Sequence, residues 1–115
     1  MFEKITIDTV ENYKWGDNCD GWHFLKTDEL SVIREKMNPG TAEQMHLHQS
    51  AQQLFYILSG EASFEIAGEL LGLKEGESVH IPAGTIHKIA NKSNDALHFL
   101  VISQPPSHGA RINVG

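Results

Sequence analysis

The sequence has little cysteine and no concentration of positive charge. Its single cysteine, Cys19, excludes an intrachain disulfide in these 115 residues and is typical of a reducing compartment. Cys19 lies in a turn-rich stretch, and we expect a structural role for it. Nine basic residues stand against fifteen acidic ones, for a net charge of −6, and the basic residues are scattered. This distribution argues against binding to nucleic acid or to an anionic membrane surface.

Long hydrophobic runs are also missing. Apolar stretches such as residues 97–102 fall far short of a membrane span, and residues 1–10 lack the apolar core of a signal peptide. We therefore expect a soluble, cytoplasmic protein without a membrane partner. With 40% hydrophobic residues, the chain can bury one core, and we expect a single domain over residues 1–115.

What the chain does contain is a succession of short β-type segments separated by turn residues. The spacing predicts roughly nine or ten strands, typical of an all-β barrel or sandwich with little or no helix. Residues 15–22 have the composition of a loop. The segments predicted to be extended are 4–10, 30–37, 55–58, 61–73 as a hairpin, 78–91 broken at Pro82 and Gly84, and 97–103.

Residues 45–60 admit two interpretations. Their alanine, glutamine and leucine content favours a helix, and Thr41 with Gln44 resembles a capping box. His46 and His48 favour a strand instead. Helical residues two apart point about 200° away from each other, whereas strand residues two apart share a face. On a strand, this pair therefore offers two imidazoles to one metal ion.

The wider spacing favours the strand. Two blocks each contain glycines and potential metal ligands at characteristic spacings. The first, over residues 40–60, is Gly40, His46, His48, Gln53 and Gly60, and the second, over residues 76–91, is Gly76, Pro82, Gly84, His87 and Asn91. These blocks resemble the paired motifs of the cupin superfamily, in its small single-domain bacterial form. The second block matches at every fixed position. The first departs once, because Gln53 stands where the family usually has glutamate.

The resemblance implies a double-stranded β-helix, or jelly-roll barrel, that holds one divalent transition metal ion. The implied ligands are His46, His48, Gln53 and His87. Gln52 competes with Gln53, because the family tolerates either gap, although only Gln53 keeps the spacing to Gly60. Three nitrogens and one amide oxygen suit Fe, Mn, Ni, Co or Zn about equally. A neutral amide also leaves the bound metal a stronger Lewis acid than a carboxylate would.

Strand alternation then suggests which other side chains face the site. The expected pocket lining is Gln44, Phe55, Ile57, Ile89 and Phe99. A cavity with such walls and few polar groups fits a small, partly apolar ligand. The remaining histidines are expected to be structural: His23, His80, His98 and His108. Of these, His80 is expected to face away from the interior.

Three kinds of function fit this interpretation. The first is a metalloenzyme acting on a sugar, sugar acid or keto/enol compound by isomerase, lyase or dioxygenase chemistry. The second is a non-catalytic, metal-containing module that binds or senses a small molecule. The third, a metal-free structural or carbohydrate-binding barrel, is disfavoured by four ligand-type residues at matching intervals. The motif region contains no paired carboxylates that would identify a catalytic acid and base, so no catalytic residue is assigned. The resemblance also implies a homodimer.

Overall fold

A computed structural model describes residues 1–107 and 111–114, and the chain there forms two antiparallel sheets with no helix. The strands, in chain order, are β1 Asn12–Trp15, β2 Cys19–Lys26, β3 Ser31–Met37, β4 His46–His48, β5 Gln52–Ser59, β6 Glu61–Ile66, β7 Glu69–Lys74, β8 Ser78–Ile81, β9 His87–Ala90, β10 Leu97–Gln104 and β11 Arg111–Asn113. The all-β prediction and the double-stranded β-helix are thereby confirmed.

The two sheets face each other around one apolar core. The six-stranded sheet has the order β1-β2-β3-β10-β5-β8, and the five-stranded sheet has the order β11-β4-β9-β6-β7. Alternate side chains of a strand point between the sheets. Buried residues therefore alternate with more exposed residues along β5 and β10. Phe55, Phe64 and Phe99 meet at the centre with ring centroids 5.2 and 5.9 Å from Phe55.

Residues 45–60 are extended. β4 and β5 occupy the stretch that has helical propensity, because pairing with β9, β10 and β8 buries alternate side chains that a helix would scatter. Gly60 ends this stretch with a positive φ of 89°. A Cβ there would lie 2.8 Å from the carbonyl oxygen of Ala96, so glycine is required both for the backbone angle and for the close approach.

Residues 4–10 do not form the predicted strand. Residues 7–9 form a turn, in which the Thr9 amide donates to the Thr6 carbonyl and the Thr6 amide donates to the Thr9 hydroxyl. Ile5 and Ile7 alternate as a strand would, yet both are exposed because no neighbouring strand pairs with them. The apolar alternation was therefore a misleading signal here.

The structure differs from the expected strands in two further places. Residues 15–22 are a hairpin rather than a loop, since Trp15 pairs with Cys19 around a three-residue turn. Gly16 and Asn18 adopt positive φ in that turn, which explains its loop-like composition. The second difference is β11, which was not predicted and pairs with β4.

Within the part of the chain that the structure describes, no helix has the length and apolarity needed to cross a membrane.

Candidate metal centre

Three histidines converge on one point between the sheets. His46 and His48 lie on the inner face of β4, and His87 begins β9, where it is paired directly with His46. All three side chains are buried. One ligand nitrogen from each lies within 4.8 Å of the other two, which is close enough for a single ion to contact all three.

Backbone carbonyls set the orientation of two of these rings. Nδ1 of His46 lies 2.8 Å from the Gln44 carbonyl oxygen, and Nδ1 of His87 lies 2.9 Å from that of Thr85. Because a carbonyl only accepts, each Nδ1 carries the hydrogen and each Nε2 keeps a free lone pair. Nε2 of His87 is buried and has no hydrogen-bond partner among the described residues.

The rings are electrically neutral at pH 7. Burial lowers the pKa of His46 and of His48 to about 4, and it also lowers the pKa of His87. The 3.9 Å contact between His46 Nδ1 and a Glu43 carboxyl oxygen is therefore not an ion pair. A neutral imidazole is the form that binds a metal ion.

The two adjacent glutamines point to opposite sides of β5. Gln53 is only 5% exposed and lines the same cavity as His46 and His48. Its Nε2 donates to the Ser103 hydroxyl at 3.0 Å, which leaves its buried Oε1 without a partner in the described chain. Gln52 is exposed, and hydrogen bonds on the outer surface engage both ends of its amide.

These side chains fit a divalent transition metal. Neutral imidazole nitrogens with one amide oxygen form a donor set that such ions accept. An unpaired, buried acceptor costs free energy, and His87 Nε2 and Gln53 Oε1 are both acceptors of that kind. A bound cation would satisfy both atoms.

A cavity of about 260 Å³ opens beside the histidines. It lies between the β1–β3 side of the six-stranded sheet and the β4–β11 side of the five-stranded sheet. Its volume suits a small organic molecule. The lining residues are Tyr13, Trp15, Ile33, Glu35, Glu43, His46, His48, Gln53, Phe55, Val101, Ser107 and Arg111.

The lining differs from the one expected by alternation. Phe55 lines the cavity, whereas Ile57, Ile89 and Phe99 are fully buried in the core. Gln44 is exposed, because β4 begins only at His46 and strand alternation does not extend back to residue 44. The Gln44 backbone still contributes, since its carbonyl accepts hydrogen bonds from His46 and from Arg111.

The cavity also contains polar residues that were not predicted to line it: Tyr13, Glu35, Glu43 and Arg111. One signal was available, because Glu35 alternates with Ile33 and Met37 on the inward face of β3. Burial, and then the nearby Glu43, raise the pKa of Glu35 to about 8, against the effect of Arg111. Burial likewise raises the pKa of Glu43 to about 7, which Arg111 opposes.

The other histidines stand apart from the centre. His80 is exposed on the outer face of β8, as alternation predicted. Its Nε2 forms a hydrogen bond with Oε1 of Gln52 at 2.9 Å. His98 lies on the outer face of β10, and the His23 ring is 5.3 Å from that of Tyr13. His108 lies outside the described residues.

Comparison with known proteins agrees with this architecture. The model of the Cupin domain matches residues 33–103, which is more than half of the chain. The protein therefore belongs to the cupin family. An oxalate-binding protein of Thermotoga maritima is 33% identical over 105 residues, covering 86% of this chain and 87% of that protein.

Solved structures with the same fold carry different names. A predicted oxalate decarboxylase from Thermotoga maritima superposes with a TM-score of 0.82 at 22% identity, covering 90% of this chain and all of that one. The polyketide cyclase RemF from Streptomyces resistomycificus superposes with a TM-score of 0.84 at 17% identity, covering 100% of this chain and 87% of that one. At such identities the likeness shows the fold alone.

Proposed function

We propose that this protein is a metal-dependent cupin that holds one divalent transition metal ion through His46, His48, Gln53 and His87. The observation that carries the proposal is the convergence of three neutral, buried imidazoles on one point beside a cavity. The unpaired oxygen of Gln53 in the same cavity supports the fourth ligand. Such an ion would act as a Lewis acid on a carbonyl or enolate oxygen of a bound molecule.

The activity we favour is enzymatic, on a sugar, sugar acid or keto/enol compound by isomerase, lyase or dioxygenase chemistry. Glu35 supports catalysis, because its carboxyl lines the cavity and its pKa of about 8 lets it hold or release a proton near neutral pH. The second candidate is a non-catalytic module that binds a small molecule. The name of the relative from Thermotoga maritima, an oxalate-binding protein, favours that candidate.

Metal content tests the first step. Protein reconstituted with Co²⁺ or Zn²⁺ and then desalted should retain about one ion per chain by elemental analysis. His46→Ala and His87→Ala should lose most of it, while His80→Ala, which alters an exposed histidine on the outer face, should retain it. Wild type without bound metal, or equal retention in all four proteins, would contradict the proposal.

The identity of the fourth ligand is tested by adding a charge. Gln53→Glu should raise the metal affinity by about tenfold, because a carboxylate is a better donor to a hard cation than an amide. Gln52→Glu is the matched control and should change affinity by less than about twofold, since residue 52 faces outward. Equal effects of both variants would exclude residue 53 as the ligand.

Substrate loss separates the enzyme from the binding module. Sugar acids, keto acids and small phenols are incubated with metal-loaded protein in air and without oxygen. Turnover only in air identifies an oxygenase, and turnover without oxygen identifies isomerase or lyase chemistry. Thermal stabilisation by a compound that is not consumed favours the binding module.

A further inference from the structure

A row of three residues crosses the first three strands of the six-stranded sheet. Tyr13 on β1 pairs with Gly21 on β2, which in turn pairs with Glu35 on β3. A Cβ on Gly21 would lie 2.3 Å from Cζ of Tyr13 and 2.6 Å from its hydroxyl oxygen. The tyrosine ring therefore lies directly over Gly21, and the lack of a side chain at residue 21 makes room for it.

The row forms one wall of the cavity. Tyr13 and Glu35 both line it, and they belong to a different sheet from the three histidines. The cavity is therefore enclosed by His46 and His48 on the five-stranded sheet and by the Tyr13 phenol, the Glu35 carboxyl group and Gln53 on the six-stranded sheet. A ligand held by one end at the histidines presents its other end to this wall.

The charges in the cavity favour a neutral far end. Burial and the neighbouring Glu35 raise the pKa of Tyr13, and burial raises that of Glu35 to about 8, so both groups carry protons at pH 7. Two further ionisable residues among the described ones line the cavity, Glu43 and Arg111. Arg111 donates to the Gln44 carbonyl at 3.1 Å, and its Nη1 lies 4.0 Å from Glu43. The Nε of Arg111 also donates to Asn113, so three of its nitrogens have partners within the protein.

We propose that Tyr13 and Glu35 determine specificity by hydrogen bonding to a hydroxyl or carbonyl oxygen at the far end of the ligand. The preferred class is a small organic molecule with at most one carboxylate, and a dicarboxylate is disfavoured because its second carboxylate would lose its hydration against a wall formed by the Tyr13 phenol and the Glu35 carboxyl group, neither of which carries a positive charge. The inference rests on the proposed metal function, because the near end of the ligand is placed at the histidines.

Two acids of equal length provide the test. 4-Hydroxybutanoate and succinate each carry a carboxylate for the metal and differ only at the other end. Binding to the Co²⁺-loaded protein at pH 7 is followed by the change in the visible Co²⁺ spectrum. Wild type should bind 4-hydroxybutanoate about fivefold more tightly than succinate, the effect of roughly one hydrogen bond.

Variants of the wall should remove that preference. Tyr13→Phe and Glu35→Leu should each lower the affinity for 4-hydroxybutanoate by about fivefold. Neither should lower the affinity for succinate below that of wild type. Gly21→Ala should act like Tyr13→Phe, because the new methyl group displaces the ring. Gly72→Ala is the matched control, since it also adds a methyl to a strand glycine but meets nothing within 4 Å. It should leave both affinities unchanged.

Three results would overturn the inference: equal or tighter binding of succinate by wild type, binding of neither acid, or a preference that survives in Tyr13→Phe, Glu35→Leu and Gly21→Ala. Circular dichroism and Co²⁺ content establish that each variant is folded and loaded. If wild type takes up Co²⁺ but does not prefer 4-hydroxybutanoate over succinate, only this inference is refuted. Failure of wild type to take up Co²⁺ refutes the metal proposal and this inference together.

Discussion

Glu35 shows how a single residue departs from the pattern of its strand. Its neighbours on the inward face of β3, Ile33 and Met37, are buried and apolar, whereas Glu35 carries a carboxyl group into the cavity. Removing a carboxylate from water is costly, so the group holds its proton to a pKa of about 8. Residues that reduce stability in this way are concentrated at functional sites.

The pH dependence of stability follows from that pKa. The unfolded chain releases the Glu35 proton near pH 4.5 and the folded chain only near pH 8, so ionisation opposes folding increasingly as pH rises between them. Glu35→Gln should therefore leave the Tm of metal-free protein almost unchanged at pH 4 and raise it by a few degrees at pH 9.

Thermal unfolding across this pH range checks the prediction, with Glu69→Gln as the control at an exposed strand position. The control should show no such dependence. A Glu35→Gln effect of equal size at both pH values would show that it arises from packing rather than from ionisation.

At the scale of elements, the β6–β7 hairpin agrees closely with the hairpin predicted over residues 61–73. Ala67 and Gly68 form its two-residue turn, with φ values of 50° and 84°. A right-handed strand twist favours turns of this kind, in which both residues have positive φ. Gly68 suits that conformation, whereas Ala67 pays a steric cost for its Cβ.

Ala67→Asn should stabilise the protein by about 1 kcal/mol, because asparagine tolerates positive φ better than alanine. The Ala67 amide, which donates to the Ile86 carbonyl, is retained. Urea unfolding measures the change. Gly68→Ala should change stability in the opposite direction, and a loss of stability in Ala67→Asn would show that turn strain is not the controlling effect.

Other elements show where local signals end. Breakers such as Pro82 located the boundaries of β8, and β3 and β10 were found at nearly their observed bounds. The apolar alternation of residues 4–10 lacked a pairing partner and formed no strand, and β11 forms because β4 offers it an edge. Pairing between distant segments determines these outcomes, and alternation within a segment does not encode it.

For the whole molecule, the outer face of the six-stranded sheet is the notable surface. Leu54 and Tyr56 on β5 are 36% and 38% exposed, and they pair with the partly buried Ile102 and Leu100 on β10. Contiguous apolar side chains on an outer face are typical of protein–protein contacts.

We predict a homodimer that uses this face. Light scattering coupled to size exclusion should give the mass of two chains at micromolar concentration. Leu54→Arg should shift the mass towards one chain, because it buries a charge in the contact. Leu70→Arg, at a 78% exposed position on β7 of the other sheet, is the control and should not. A wild-type monomer contradicts the prediction.

The sequence by itself determined the all-β class and most strand boundaries. These follow from a period of two and from turn residues, which act within a few residues of one another. The inward direction of His46 and His48 was implied by the resemblance to the cupin motifs. The spacing to Gly60 favoured Gln53 over Gln52, but only the tertiary structure placed Gln53, Tyr13, Glu35 and Arg111 in one cavity with His46 and His48. Those residues lie far apart in the chain, and it is strand order and register that bring them together.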